Sequence, residues 1–350
     1  MTLAIPSLLL LTTHQLRHPM KTQFLWKSHR RTPANTWLLF LSAFLLSLSF
    51  WTNIATPATA QKANPSAPTG ETTSGDVTAE PVTKGQRVFS CGHSFHAFFI
   101  TPIMSDMAKG AGIEGHEIVG VSKIGGSRVI QHWNVPDEKN QAKAALKESR
   151  IDVLTLSPMH TPDDGIDKFA ELAFQHNPNV RVTIQEFWIP WDKNEWPFTG
   201  KQDSVDFDAA KIDDLRKMHE PYFKTMDEYV SSLNKKLGKQ VLFVVPMGQA
   251  VLALREKIIA GEAPGIEKQS ELFTDKLGHP KPTLEALEGY CHFAVIYRRS
   301  PVGLPMPEVI KNAKNPQWDE KLNRLLQELA WDAVTQHPLS GVKAAPAGKH

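Results

Sequence analysis

The chain has 350 residues, with 39 Lys and Arg against 37 Asp and Glu, a formal net charge of +2. That near-balance, without a basic patch, excludes the electrostatic footprint of a nucleic-acid binder. Two cysteines, Cys91 and Cys291, are too few for a disulfide scaffold; two buried thiols and a single bridge both fit them.

The first sixty residues carry five bases, Arg17, Lys21, Lys27, Arg30 and Arg31, and no acid. An apolar run follows from Trp37 to Trp51, and then Ala58-Thr59-Ala60. A basic flank, a short apolar core and a small-x-small site predict a secretory signal peptide over 1–60. The run is shorter than the roughly 20 residues that span a bilayer, although an uncleaved anchor is the rival reading. Removing the five bases from 39 leaves 34 against 37 acids, so the mature chain has a net charge of −3. The expected location is the periplasm or the medium, with no stable membrane anchor after processing. Residues 61–84 are rich in Pro, Ser, Thr, Gly and Ala and predict a flexible linker. What remains, 85–340, is enough for one large α/β domain.

In chain order, Arg87–Cys91 predicts a first strand, ending at Gly92-His93-Ser94. Thr101-Pro102 predicts an N-cap and first turn for a helix running to Gly112. His116–Ser122 is a second strand stopped by Gly125-Gly126, and Asp137–Ser149 an Ala- and Lys-rich helix. Ile151–Leu156 is a third strand, ending at Ser157-Pro158. A helix over Ile166–Gln175 follows, with Asp163 and Asp164 near its start, and then a fourth strand over Val180–Trp188. An irregular insertion from Pro190 to about Asp208 leads into a long charged helix ending at Gly238. Val241–Val245 is the fifth strand. Gln249–Ala260 and Thr283–Tyr297 are helices, and Asn315-Pro316 is expected to cap a last one. Strands alternating with helices imply a parallel sheet covered on both faces.

In such a sheet, ligands bind beyond the carboxyl ends of the strands. Ser94, Gly125-Gly126, Ser157–His160 and Glu186–Trp191 all fall on that edge. A serine at a strand exit and a late Asp275/His279 pair are the parts of an acyl-transfer site. A glycine turn after the second strand suits an oxyanion donor, because no side chain blocks its N–H. His93, His96, His160, Asp163, Asp164 and Glu186 could form a metal site at this edge, but their spacing matches no ligand signature; hydrogen-bonded histidines are the expected outcome, with no metal. Trp188 and Trp191, with Trp196 and Phe198, are expected to pack on the domain, leaving one or two at the rim for substrate stacking.

These motifs resemble the SGNH/GDSL hydrolase superfamily over roughly residues 86–300. Gly92-His93-Ser94-Phe95 matches its nucleophile block, Gly125 or Gly126 its second block, and Asp275 with His279 its last. The resemblance implies a flavodoxin-like three-layer sandwich with a five-stranded parallel sheet. It implies Ser94 as nucleophile, His279 as base, Asp275 as its orienting acid, and the N–H groups of Ser94 and Gly126 as oxyanion donors. The implied reaction is hydrolysis of O-acyl esters, small-molecule or polysaccharide, without a cofactor. Two departures stand out. The third block, Leu156-Ser157-Pro158-Met159-His160, lacks the family's Asn, and Gly278 lengthens the final Asp-to-His spacing by one residue. The rival expectation is a non-catalytic carbohydrate-binding domain on the same fold; a metal-dependent hydrolase is the third.

Overall fold

The computed structural model describes residues 80–193, 205–312 and 319–343. The leader over 1–60, most of the linker, Trp196, Phe198 and Asn315-Pro316 lie outside the described residues.

Five strands form one parallel sheet in the order β2-β1-β3-β4-β5. They are β1 (Arg87–Gly92), β2 (Glu117–Lys123), β3 (Val153–Leu156), β4 (Arg181–Glu186) and β5 (Leu242–Pro246). This is the predicted fold, with each strand within about two residues of its expected bounds. The helices are α1 (Ile100–Gly110), α2 (Val129–Trp133), α3 (Gln141–Lys147), α4 (Asp164–His176), α5 (Ile212–Leu237), α6 (Met247–Ile259), α7 (Pro282–Tyr297), α8 (Glu308–Lys311) and α9 (Glu320–Gln336). No helix among the described residues is long and apolar enough to cross a membrane.

Side chains alternate across each strand, so the sheet has two covered faces. On one face, Phe89, Cys91, Leu154, Leu156, Val182, Ile184, Leu242 and Val244 pack with α3, α4 and α5. On the other, Val88, Val153, Phe243 and Val245 pack with α1, α6, α7 and α9. Beyond the last strand, the Val244 N–H donates to Leu339 O, so the returning chain runs beside β5.

Several boundaries differ from expectation. The first helix begins at Ile100 with Phe99 as its cap, because the turns after Ser94 already donate Ile100 N–H to His96 O and carry straight into it. Thr101 is therefore inside the helix. The predicted Asp137–Ser149 helix is broken into a 3₁₀ turn and α3, with the Asn140 side chain capping Lys143 N–H at 3.0 Å. The last helix is capped by Asp319, whose carboxylate accepts from Leu322 N–H at 2.6 Å. Gly238 does end α5 in the left-handed conformation expected of it, with φ +68°.

Candidate active site

The chain leaves β1 at Gly92 and turns sharply, which lifts Ser94 to a half-buried position while His93 and Phe95 on either side are buried. The turn is fixed from below. Gln185 of β4 donates from Nε2 to the Phe95 carbonyl at 3.1 Å. The His93 Nδ1 accepts from Phe95 N–H at 3.3 Å.

On the far side of the site, a loop over 273–280 is closed by an antiparallel bridge between Phe273 and Pro280. It carries the Asp275/His279 pair. His279 Nδ1 lies 2.7 Å from Asp275 Oδ2, and His279 Nε2 lies 2.8 Å from Ser94 Oγ. The three residues thus form a continuous hydrogen-bonded relay. A neutral imidazole with its proton on Nδ1 donates to the carboxylate and presents an Nε2 lone pair to the serine hydroxyl.

Gly278 absorbs the extra residue of the spacing. Its φ is +97°, a region that only glycine enters freely, and its N–H donates to Asp275 Oδ1 at 3.1 Å. The His279 N–H also reaches Asp275 Oδ1, at 3.2 Å. Partial burial pulls the Asp275 pKa upward. The His279 side chain and the two backbone N–H groups outweigh it and hold the carboxyl below the usual range. Asp275 is thus anionic and doubly anchored. The Phe95 ring stacks on His279, with centroids 5.1 Å apart and planes 15° from parallel. That contact limits rotation of the imidazole and offers it a π-face when protonated.

The expectation that Trp188 stacks on substrate at the rim is not met. Trp188 is 1% exposed, and its Nε1–H donates to the Gly278 carbonyl at 3.0 Å. It packs against Phe95 instead, so it braces both halves of the site from inside. Trp191 is half-buried against the core, and its N–H donates to Leu277 O at 3.0 Å. Trp191 and Asp192 both have positive φ, at 58° and 48°. Arg255 holds that strained turn with two 2.7 Å bonds from its guanidinium to the Asp192 carboxylate.

Lys123 pairs with Gly92 across β1 and β2, and Ile124 N–H donates to Gly92 O at 3.2 Å. The Gly125-Gly126 turn therefore leaves the sheet beside the start of the Ser94 turn. Gly126 has φ +59°, and space is open where a Cβ would stand, so conformation rather than crowding requires glycine. The turn is held by a buried bridge: His132 lies 2.7 Å from both Ser122 Oγ and Ser127 Oγ. Asp163 adds a second anchor, accepting from Val129, Ile130 and Gly165 N–H groups.

At the third block, Ser157 is buried and its Oγ lies 3.3 Å from His93 Nε2. With Nδ1 of His93 already accepting, Nε2 is the donor to Ser157. Burial, then the neighbouring His132 and His279, push His93 down to about 3, so it is neutral and no rival base. His160 is half-buried, and burial followed by Arg128 lowers its pKa as well.

The six residues weighed for a metal are not brought together. Asp163 is spent on backbone caps, and Glu186 turns to Gln249 and His337. His96 points inward, away from the strand exits, with Nδ1 2.8 Å from Glu288 Oε1 and Nε2 2.8 Å from Thr155 Oγ1 and 3.0 Å from Ser90 Oγ. His292 lies close by, its Nε2 3.1 Å from Gln185 Oε1. His96, Glu288 and His292 are close enough to hold an ion; both His96 nitrogens, Glu288 Oε1 and His292 Nε2 are engaged in this hydrogen-bonded chain, while Glu288 Oε2 and His292 Nδ1 have no hydrogen-bond partner. Burial drives Glu288 well above and His96 well below its ordinary pKa. The network ends on Gln185 and so on the Phe95 carbonyl. Its signal in the sequence is the set of polar residues at alternating strand positions, Ser90, Thr155 and Gln185, all on the α7 side of the sheet.

Cys91 and Cys291 are both free and buried, so the single bridge does not form; burial raises both thiol pKa values. Neither a family model nor a curated protein matches this chain.

Proposed function

We propose that this protein is an exported serine esterase of SGNH type that hydrolyses O-acyl esters. The observation that carries the reading is the relay from Asp275 through His279 to Ser94, at 2.7 and 2.8 Å, assembled from opposite ends of the domain. Ser94 Oγ attacks the acyl carbon while His279 Nε2 takes its proton. Asp275 holds the imidazole in the tautomer that can accept it and stabilises the imidazolium. The Ser94 and Gly126 N–H groups stabilise the oxyanion. His279 then returns the proton to the leaving alcohol, and water repeats the cycle on the acyl-enzyme. No cofactor enters this cycle. Export rests on the basic, apolar and Ala58-Thr59-Ala60 segments of the leader.

Carbohydrate acetyl esters are the substrate class we favour within this reading. Trp188 gives it no support, since that ring is buried; among the described residues, half-buried Trp191 and exposed Phe98 are aromatics close in sequence to the site residues. A non-catalytic binding domain would have no use for a serine, imidazole and carboxylate at bonding distance. The deciding experiment is labelling with a fluorophosphonate probe, followed by mapping of the modified residue. Modification of Ser94 and hydrolysis of p-nitrophenyl acetate are expected. A folded protein that neither labels nor turns over short esters would return the reading to the binding domain.

A further inference from the structure

A second cluster lies on the α5 side of the sheet, and its residues come from three distant parts of the chain. Glu186 is the last residue of β4 and shares its face with Val182 and Ile184. Asp227 lies midway along α5, and His337 is the residue on which α9 ends. His337 Nε2 is 3.3 Å from Asp227 Oδ1 and 3.6 Å from Glu186 Oε2. One ligand atom from each residue lies within 4.8 Å of the others.

The polar groups here are not satisfied by the protein. Glu186 is fully buried, and its Oε1 has no hydrogen-bond partner. The same holds for Asp227 Oδ1, His337 Nε2 and Gln249 Oε1. Gln249 spends its Nε2–H on Glu186 Oε2, which leaves its carbonyl oxygen as a further donor to an ion. The nearby bases are committed elsewhere: Arg216 pairs with Glu256 and Asp213, and Lys224 with Glu228. Two carboxylates face one imidazole, without a lysine or arginine, so even a protonated His337 leaves one negative charge uncompensated.

The spacing identifies what would supply it. Zinc bonds to nitrogen and oxygen at about 2.0–2.1 Å, which sets the edges of its tetrahedron at about 3.3–3.4 Å. Two of the three separations, 3.3 and 3.6 Å, fall at or near that value and are long for charge-assisted hydrogen bonds, and the third is within 4.8 Å. Asp227 and Gln249 also line a cleft of about 620 Å³ between α5 and α6, which provides the way in.

We propose that Glu186, Asp227 and His337 bind one divalent transition-metal ion of the zinc class, with Gln249 Oε1 or water as fourth donor. Leu339 N–H approaches His337 Nδ1 at 3.2 Å, so these contacts place the ring proton on Nε2. Binding moves that proton to Nδ1 and breaks this long contact, while Nε2 gives its lone pair to the ion. The ion ties β4, α5 and the end of α9 together and takes no part in the chemistry at Ser94.

The test is titration of the EDTA-treated, dialysed protein with ZnCl₂ by calorimetry, with metal content measured after gel filtration. One zinc per chain and a higher melting temperature are expected. Asp227→Asn and His337→Gln should each weaken binding at least tenfold and remove the thermal shift, while Ser94→Ala binds like the parent. Absence of stoichiometric zinc, or parental affinity in both variants, overturns the proposal. If the variants do not fold, anomalous diffraction from zinc-soaked crystals of the parent decides: a peak among the three side chains upholds the site, and its absence there overturns it.

Discussion

His279 Nε2 stands 2.8 Å from Ser94 Oγ although 185 residues separate them in the chain. The contact depends on two turns that are each braced from within, one by Gln185 on the Phe95 carbonyl and the other by Trp188 on the Gly278 carbonyl. Under the esterase reading, Ser94→Ala and His279→Ala should each abolish hydrolysis of p-nitrophenyl acetate in a folded protein. The double variant should be no worse than either single one, because the two act as a unit. Additive losses in steady-state kinetics would show that they do not.

Asp275 has a side chain 48% exposed, so its contribution is damped by solvent. Asp275→Asn should lower kcat at least about tenfold, yet by less than the roughly 10⁴-fold of a fully buried orienting aspartate. KM should change little. Asp275, held below the usual carboxylate range, should stay charged well into acid, so loss of its charge should lower the parent's activity only at strongly acid pH. A pH–rate profile of the parent against Asp275→Asn, under conditions where acylation limits turnover, checks this.

Under the esterase reading, His160 is the third-block residue left to stand in for the missing amide donor, since the Ser157 hydroxyl is engaged by His93. His160→Ala should then cost about 10²–10³ in kcat, as loss of one oxyanion donor does, while His160→Asn restores most of it. Equal activity in parent and His160→Ala would assign the hole to Ser94 and Gly126 alone. Ser157→Ala is the matching control, since that hydroxyl is buried and engaged by His93.

The parallel sheet was legible because its strands are short apolar runs with glycine or proline stops. The site was legible because four motifs fell on one edge of that sheet. Other features carried no local signal. Helix α2 is only five residues long and is held by a carboxylate 33 and 34 residues further on, at Asp163. Trp188 sits in an aromatic, proline-rich stretch that reads as a surface insertion; only the tertiary contact with Gly278 shows it to be a brace. Helix α7 reads as apolar, and its Glu288 and His292 make sense only against the polar residues of the strands beneath them.

Acid should destabilise the fold in a defined window. Burial lowers His93 to about 3 and His116, His132 and His219 to about 4, each below the ordinary histidine value of 6.5. Groups depressed in the folded state stabilise it above the unfolded pKa and lose that contribution as pH falls toward the folded one. Each such histidine should therefore remove stability at up to about 1.4 kcal/mol per pH unit between about pH 6.5 and 4. Urea unfolding at a series of pH values reads the slope, and His132→Gln should make it shallower.

Gly165 is where α4 passes closest to α2. A Cβ there would stand 2.3 Å from Ile130 N and 2.4 Å from Val129 C, both backbone atoms that cannot rotate away. Gly165→Ala should cost about 1–3 kcal/mol of stability by denaturant unfolding. It should also displace the Gly126 turn, and so lower kcat in the protein that still folds.

The sheet has two rims, and the chain closes one of them itself. Leu339 accepts from Val244 and the Asn234 side chain bonds the N–H and carbonyl of Leu242, so little of the β5 ladder is offered to a neighbouring molecule, while β2 at the other rim carries Glu117 and Lys123 at its two ends. Open strand edges template edge-to-edge association, and charged residues discourage it. The few residues after α9 thus act as a built-in stopper against polymerisation. Proteolytic trimming before Leu339 would uncover that rim and leave a domain prone to joining its sheet to a neighbour's.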